Sequence, residues 1–153
     1  AKELVKKYCQ SDSTVNKTKG IEHKPEDLGA NYGSGNSIKE LMLKALDATE
    51  AEKYYEAIYF YNKILEINPN IYTALEMRAV SKMELKNFEG ALLDIKKAIK
   101  MNPFHEQVMN GDAYMIMGLI YSGSGEVKNA CSNFEKALKL NNKYAHDYLK
   151  NCD

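Results

Sequence analysis

Apolar side chains recur at three- and four-residue steps through most of the chain from residue 38 onward. One such stretch has them at Tyr54, Ala57, Ile58, Tyr61, Ile64, Leu65 and Ile67. This spacing places them on one face of an α-helix, and Pro69, which follows, cannot continue that helix. The sequence therefore predicts an amphipathic helix that ends just before residue 69.

The same pattern returns twice further along the chain. The second copy consists of Phe88, Ala91, Leu92, Ile95, Ala98, Ile99 and Met101, followed by Pro103. The third consists of Val127, Ala130, Cys131, Phe134, Ala137, Leu138 and Leu140, with Asn142 in place of the proline. Another helical pattern precedes each copy, at 38–51, 72–86 and 112–123. The repeated unit is therefore predicted to be a helical hairpin of 34 residues.

The segments outside this pattern are polar. Residues 1–37 have a composition that can bury little apolar area, and they are predicted to form an arm or linker. Ser37 followed by Glu40 fits a capping box, which predicts a helix start at that point. Ala91 and Ala130 lie 39 positions apart rather than 34, so five extra residues are expected within 104–111.

The period and the placement of large and small residues resemble the tetratricopeptide repeat. The third copy shows this best, with Gly118 and Tyr121 on its first helix and Ala130, Phe134 and Ala137 on its second. The resemblance implies an all-α fold, a right-handed α-solenoid of three helical hairpins with a C-terminal capping helix. It divides the chain into an arm at 1–37 and a repeat domain at 38–153, with repeats at 38–71, 72–110 and 111–144 and a capping helix at 143–151.

Three basic residues depart from the family pattern. Lys44, Arg78 and Lys82 stand where the family usually has bulkier apolar side chains. We expect their aliphatic stems to fill those places while their charged ends reach water. The carboxylates of Glu76, Glu84 and Asp94 are likewise expected on solvated helix faces.

In this family the first helices of successive repeats line a concave groove. The resemblance implies a partner-binding groove formed by Met42, Leu46, Thr49, Thr73, Glu76, Val80, Met83, Asp112, Met115 and Leu119. The apolar members suit an apolar peptide or helix, and methionine adapts its shape to different partners. One branch of the family clamps the terminal carboxylates of chaperone tails with lysine, asparagine and arginine. Those places here hold Met42, Leu46, Met77, Asp112 and Ile116, so that ligand is not expected.

Three interpretations of the apolar stripe follow. The first is a non-catalytic protein–protein interaction module that binds an unidentified protein or peptide. The second is a self-associating structural protein, a homo-oligomer in which residues 1–37 occupy the groove. The third is that part of the stripe belongs to the core, if the assigned register is wrong by one residue.

Composition excludes several other classes of function. The 21 basic and 21 acidic residues leave no net charge, which argues against nucleic acid as a partner. No apolar run approaches the ~20 residues needed to span a membrane. The three histidines are far apart and lack ligand partners, and no catalytic motif is complete. We expect no enzyme activity, no metal and no cofactor.

Cys131 precedes Asn142 by eleven residues, and Cys152 follows it by ten. If the chain turns there into an antiparallel helix, the two cysteines come level and a disulfide becomes possible. Alternatively both are free thiols, with Cys131 a small core residue. The closing segment also resembles that of some exported bacterial tetratricopeptide proteins. A bond would favour an exported, periplasmic or cell-surface setting, and free thiols the cytoplasm.

Overall fold

The computed structural model describes residues 37–101 and 109–152, with side chains from 37–101 and 111–152. All regular structure in these ranges is helical. The helices are α1 (Ile38–Glu50), α2 (Tyr54–Ile67), α3 (Tyr72–Glu84), α4 (Phe88–Met101), α5 (Met109–Gly123), α6 (Val127–Lys139) and α7 (Ala145–Leu149). The predicted arm and most of the predicted insertion lie outside the described residues. None of the described helices is both long enough and apolar enough to cross a membrane.

Helix α1 begins with the capping box that the sequence predicts. The Ser37 hydroxyl accepts a hydrogen bond from the Glu40 amide at 3.3 Å. The Glu40 carboxylate accepts one from the Ser37 amide at 3.1 Å. These two bonds satisfy amides that the first helical turn leaves without a partner.

The turns inside the three hairpins share one backbone conformation. Glu52, Lys86 and Gly125 each have a φ between 60° and 83°, in the left-handed region. The residue after each donates its amide to a carbonyl five positions earlier, as in Lys53 to Ala48 at 2.8 Å. This is the Schellman arrangement that closes a helix. Since these positions are spaced by 34 and then 39 residues, the backbone repeats with the period seen in the sequence.

The chain forms two compact units, Ala1–Ala74 and Leu75–Asp153. In the first unit α1 packs against α2 through alanines and larger side chains. Its buried apolar residues in the described range are Leu41, Ala45, Ala48, Ala57, Phe60, Tyr61, Ile64 and Ala74.

The second unit has a larger core around α5. Its fully buried apolar residues include Leu75, Met77, Ala79, Ala91, Ile95, Ala98, Ala113, Ile116, Ile120, Ala137 and Ala145. Helices α5 and α6 approach closely because Gly118 has no side chain: a Cβ there would stand 2.4 Å from a ring carbon of Phe134. The family resemblance assigns this place to a small residue, and the packing supplies the reason.

Candidate partner-binding site

The ten residues predicted to line a groove fall into two groups in the structure. Five are partly exposed: Met42, Leu46, Thr73, Met83 and Leu119. The other five are buried: Thr49, Glu76, Val80, Asp112 and Met115. Only the first group offers a surface to a partner in this structure.

Thr49 is occupied by hydrogen bonds within the first unit. Its hydroxyl donates to the Ala45 carbonyl at 2.7 Å and lies 3.1 Å from the Tyr61 hydroxyl. Because a hydroxyl has a single proton, Tyr61 is then the donor in the second bond. Thr49 therefore joins α1 to α2 inside the hairpin.

Asp112 is held in the same way within the second unit. Its carboxylate accepts a hydrogen bond from the Asn142 side chain at 2.7 Å, and both residues are buried. The Asn142 side-chain oxygen also accepts from the Tyr144 amide at 3.1 Å. Asn142 thus connects the start of α5 to the segment that leads into α7. The sequence pattern identifies Asn142 as a replacement for proline and as the place of a turn, but it does not predict this hydrogen bond to Asp112.

The close contact at the start of α5 also involves Gly111. A Cβ at Gly111 would lie 2.8 Å from the Leu140 carbonyl oxygen. The absence of a side chain therefore lets the chain after α6 come against α5 next to Asp112. The Asn142–Asp112 bond lies in this tight junction.

The structure also differs from the prediction for charged residues on α3 and α4. Asp94 is buried rather than solvated, and it accepts a hydrogen bond from the Arg78 Nε at 2.8 Å. A second guanidinium nitrogen of Arg78 also pairs with it, and Lys82 Nζ lies 2.7 Å from its carboxylate. The charged ends of Arg78 and Lys82 therefore pair with a buried acidic partner, and both side chains remain only partly exposed. Glu76 is likewise buried, contrary to expectation.

The predicted groove residues that are both apolar and partly exposed lie on the first helices of the hairpins. In the second unit these are Met83 on α3 and Leu119 on α5, both partly exposed. In the first unit they are Met42 and Leu46, one turn apart on α1. Each unit therefore presents methionine and leucine on first helices of hairpins, which the resemblance assigns to partner binding.

The described side chains were also compared with the needs of a metal site. Within 37–101 and 111–152, no cluster of three histidine, cysteine or acidic residues has the arrangement needed to hold a metal ion.

Comparison with known proteins assigns the third hairpin to a family. Residues 111–144 match the family described as "Tetratricopeptide repeat", over the bounds of the third predicted repeat. This segment is therefore similar in sequence to a tetratricopeptide repeat.

Curated relatives extend the likeness across more of the chain. The yeast heat shock protein STI1 is 32% identical over 106 residues, which cover 67% of this chain and 17% of STI1. The UDP-N-acetylglucosamine–peptide N-acetylglucosaminyltransferase of Giardia intestinalis is 28% identical over 127 residues, covering 82% of this chain and 7% of that protein. The chain thus spans less than a fifth of the length of these two relatives.

Solved structures match the arrangement of helices. The first tetratricopeptide domain of Spaghetti (RPAP3), bound to the HSP90 peptide SRMEEVD, has a TM-score of 0.65 and 26% identity. The match covers 75% of this chain and 89% of that one. The prediction of an all-α fold of the tetratricopeptide-solenoid class is confirmed.

Proposed function

We propose that this tetratricopeptide chain is a non-catalytic interaction module that binds an apolar peptide or helix of another protein. The observation that carries the proposal is the partial exposure of Met83 and Leu119 on α3 and α5 of the second unit. Met42 and Leu46 supply a similar surface on α1 of the first unit. Burying such side chains contributes about 25 cal/mol for each Å² of apolar surface removed from water.

The solved structure of Spaghetti with its HSP90 peptide supports protein recognition by this fold. That peptide, SRMEEVD, carries three acidic side chains and favours a basic receptor. The family positions that clamp such tails are apolar or acidic here, and Met77, Ile116 and Asp112 are also buried. We therefore propose an apolar ligand rather than an acidic chaperone tail.

The test is a paired capture from native extract. One bait is the intact chain, and the others carry Met83→Lys with Leu119→Lys, or Met42→Lys with Leu46→Lys. Lysine places a charge where an apolar contact is proposed, so a captured protein should be lost. Leu93→Lys and Leu43→Lys are matched controls, because Leu93 on α4 and Leu43 on α1 are 65% and 53% exposed and lie outside the proposed surfaces.

Each bait is first checked by circular dichroism for retained helix content. A protein that binds the intact chain and both controls but not a surface variant supports the proposal. Equal capture by all baits would contradict it. Saturable binding of the SRMEEVD peptide that survives the surface variants would contradict the choice of an apolar ligand.

A further inference from the structure

Helix α7 is short, and few interactions within the helix itself stabilise it. It spans five residues, Ala145–Leu149, and no side chain caps its first turn. Its ends are held by four-residue turns, with the Ala145 amide donating to the Asn142 carbonyl at 3.2 Å and the Cys152 amide to the Leu149 carbonyl at 3.0 Å. A single helical turn does not persist alone in water because nucleation costs more than one hydrogen bond returns. The Asn142–Asp112 bond fixes the chain just before α7, and beyond that point the position of α7 depends on its contacts with α6.

The noncovalent part of those contacts is small. Ala145 is fully buried but contributes only a methyl group. The Tyr148 ring lies 5.1 Å from the Phe134 ring, yet Tyr148 remains 36% exposed. Leu149 is partly exposed as well. Full burial of one large apolar side chain contributes about 1.5–3 kcal/mol to stability. Helix α7 has no large apolar side chain that is fully buried.

A disulfide joins this weakly packed helix to α6. Cys131 on α6 and Cys152 just after α7 are bonded, with Cα atoms 5.7 Å apart and 21 positions between them in sequence. Both cysteines are partly exposed, so a small thiol can reach the bond. The disulfide keeps the end of α7 close to α6. Weak noncovalent packing is therefore enough to hold α7 against α6 while the bond is intact.

We propose that the Cys131–Cys152 disulfide is a redox-controlled latch that holds α7 over Phe134. A dithiol reductant attacks one sulfur as a thiolate and displaces the other cysteine, forming a mixed disulfide. Its second thiol then releases the protein. Two protein thiols form as the dithiol is oxidised to its cyclic disulfide, so atoms and electrons balance. With the tether gone, α7 leaves α6 and the Phe134 side chain is uncovered.

Hydrogen exchange followed by mass spectrometry tests this on the full chain. Cys9 is the third cysteine of the chain. All samples carry Cys9→Ser, so that Cys131 and Cys152 are the two cysteines on which dithiothreitol can act. We expect reduction to lower the protection of amides in 143–152 at least tenfold more than it lowers that of α6 amides. The variant Cys131→Ser with Cys152→Ser should match the reduced chain, whether or not dithiothreitol is present.

Tyr148→Ala in the oxidised chain separates the tether from the packing. We expect this variant to keep more protection in 143–152 than the reduced chain does, because the covalent link remains. Equal loss of protection in α6 and α7 on reduction would overturn the proposal, since the unit would then open as one. Unchanged protection of α7 on reduction would also overturn it.

Discussion

The ring of Phe134 fills the space that a side chain at Gly118 would need. A Cβ at position 118 would stand 2.4 Å from one ring carbon and 2.5 Å from another. Real Cβ atoms do not approach other atoms so closely, so any larger residue must displace the ring or separate α5 from α6. The smallness of residue 118 thus sets the distance between the two helices of the third repeat.

We predict that Gly118→Ala lowers the free energy of unfolding by about 1–2 kcal/mol. Alanine gains about 1 kcal/mol of helix propensity over glycine. Overpacking a filled core typically costs about 1–3 kcal/mol, and a contact this short lies at the upper end. Urea unfolding monitored by circular dichroism measures the difference. Ser122→Ala, one turn further along α5 and exposed, should stay within about 0.5 kcal/mol of the unmodified chain. An unchanged or raised stability for Gly118→Ala would contradict the packing described.

Asn142→Ala tests the connection between α5 and the segment before α7. The change removes a hydrogen bond to the buried carboxylate of Asp112 and another to the Tyr144 amide. Hydrogen bonds to charged groups contribute about 1.5–3 kcal/mol, and we expect a loss of stability in that range in urea unfolding. Asn141→Gly is the matched control, because Asn141 is exposed and has a φ of 64° that glycine adopts freely. Equal stabilities for the two variants would show that the Asn142 bonds contribute nothing.

Asp94→Ala tests the charge cluster on α3 and α4. It leaves the Arg78 guanidinium and the Lys82 ammonium side by side without their shared carboxylate. Removing one partner of a buried ion pair is strongly destabilising, and we expect a loss of about 2–4 kcal/mol. Glu89→Ala, on an exposed position of the same helix, should change stability little.

The double change Asp94→Leu with Arg78→Met separates charge from volume. It replaces the pair by apolar side chains of similar size, and Lys82, which is partly exposed, can turn to water. We expect this variant to be more stable than Asp94→Ala. A double variant as unstable as Asp94→Ala would indicate that the ionic geometry itself is required.

The two proposed ways of using the apolar surface differ in oligomeric state. If the chain is an interaction module, we expect a monomer at every concentration. If it self-associates through residues 1–37, we expect the fraction of dimer to rise with protein concentration. We expect sedimentation velocity to give one species of about 17 kDa from micromolar to millimolar protein. A concentration-dependent dimer that disappears on deletion of residues 1–37 would favour self-association instead.

The helices could be predicted from the sequence because their signals are local. The capping box at Ser37 and the apolar period of α2 need only neighbouring residues, and the structure reproduces both. Burial of a side chain is harder to predict, because it depends on residues that are distant in the sequence. The family register alone predicts an open face for Val80 and Met115, yet both are buried. Register gives the direction of a side chain but not what covers it.

Pairing between helices was also beyond the sequence. Asp94 looked like an ordinary solvated carboxylate because its partners, Arg78 and Lys82, lie on a different helix. Only the packing of α3 on α4 brings the three together. The Asn142–Asp112 bond joins residues 30 positions apart, and no pattern along the chain announces it.

The left-handed residue that recurs at Glu52 and Lys86 bears on how such a chain can lengthen during evolution. Both turns close with their own backbone bond, and both positions leave the chain in the same conformation. If residues 53–86 were duplicated, the inserted copy would follow a left-handed residue and end with one, as residues 53–86 already do. Growth by whole repeats would need no new turn, because each added hairpin brings its own closure.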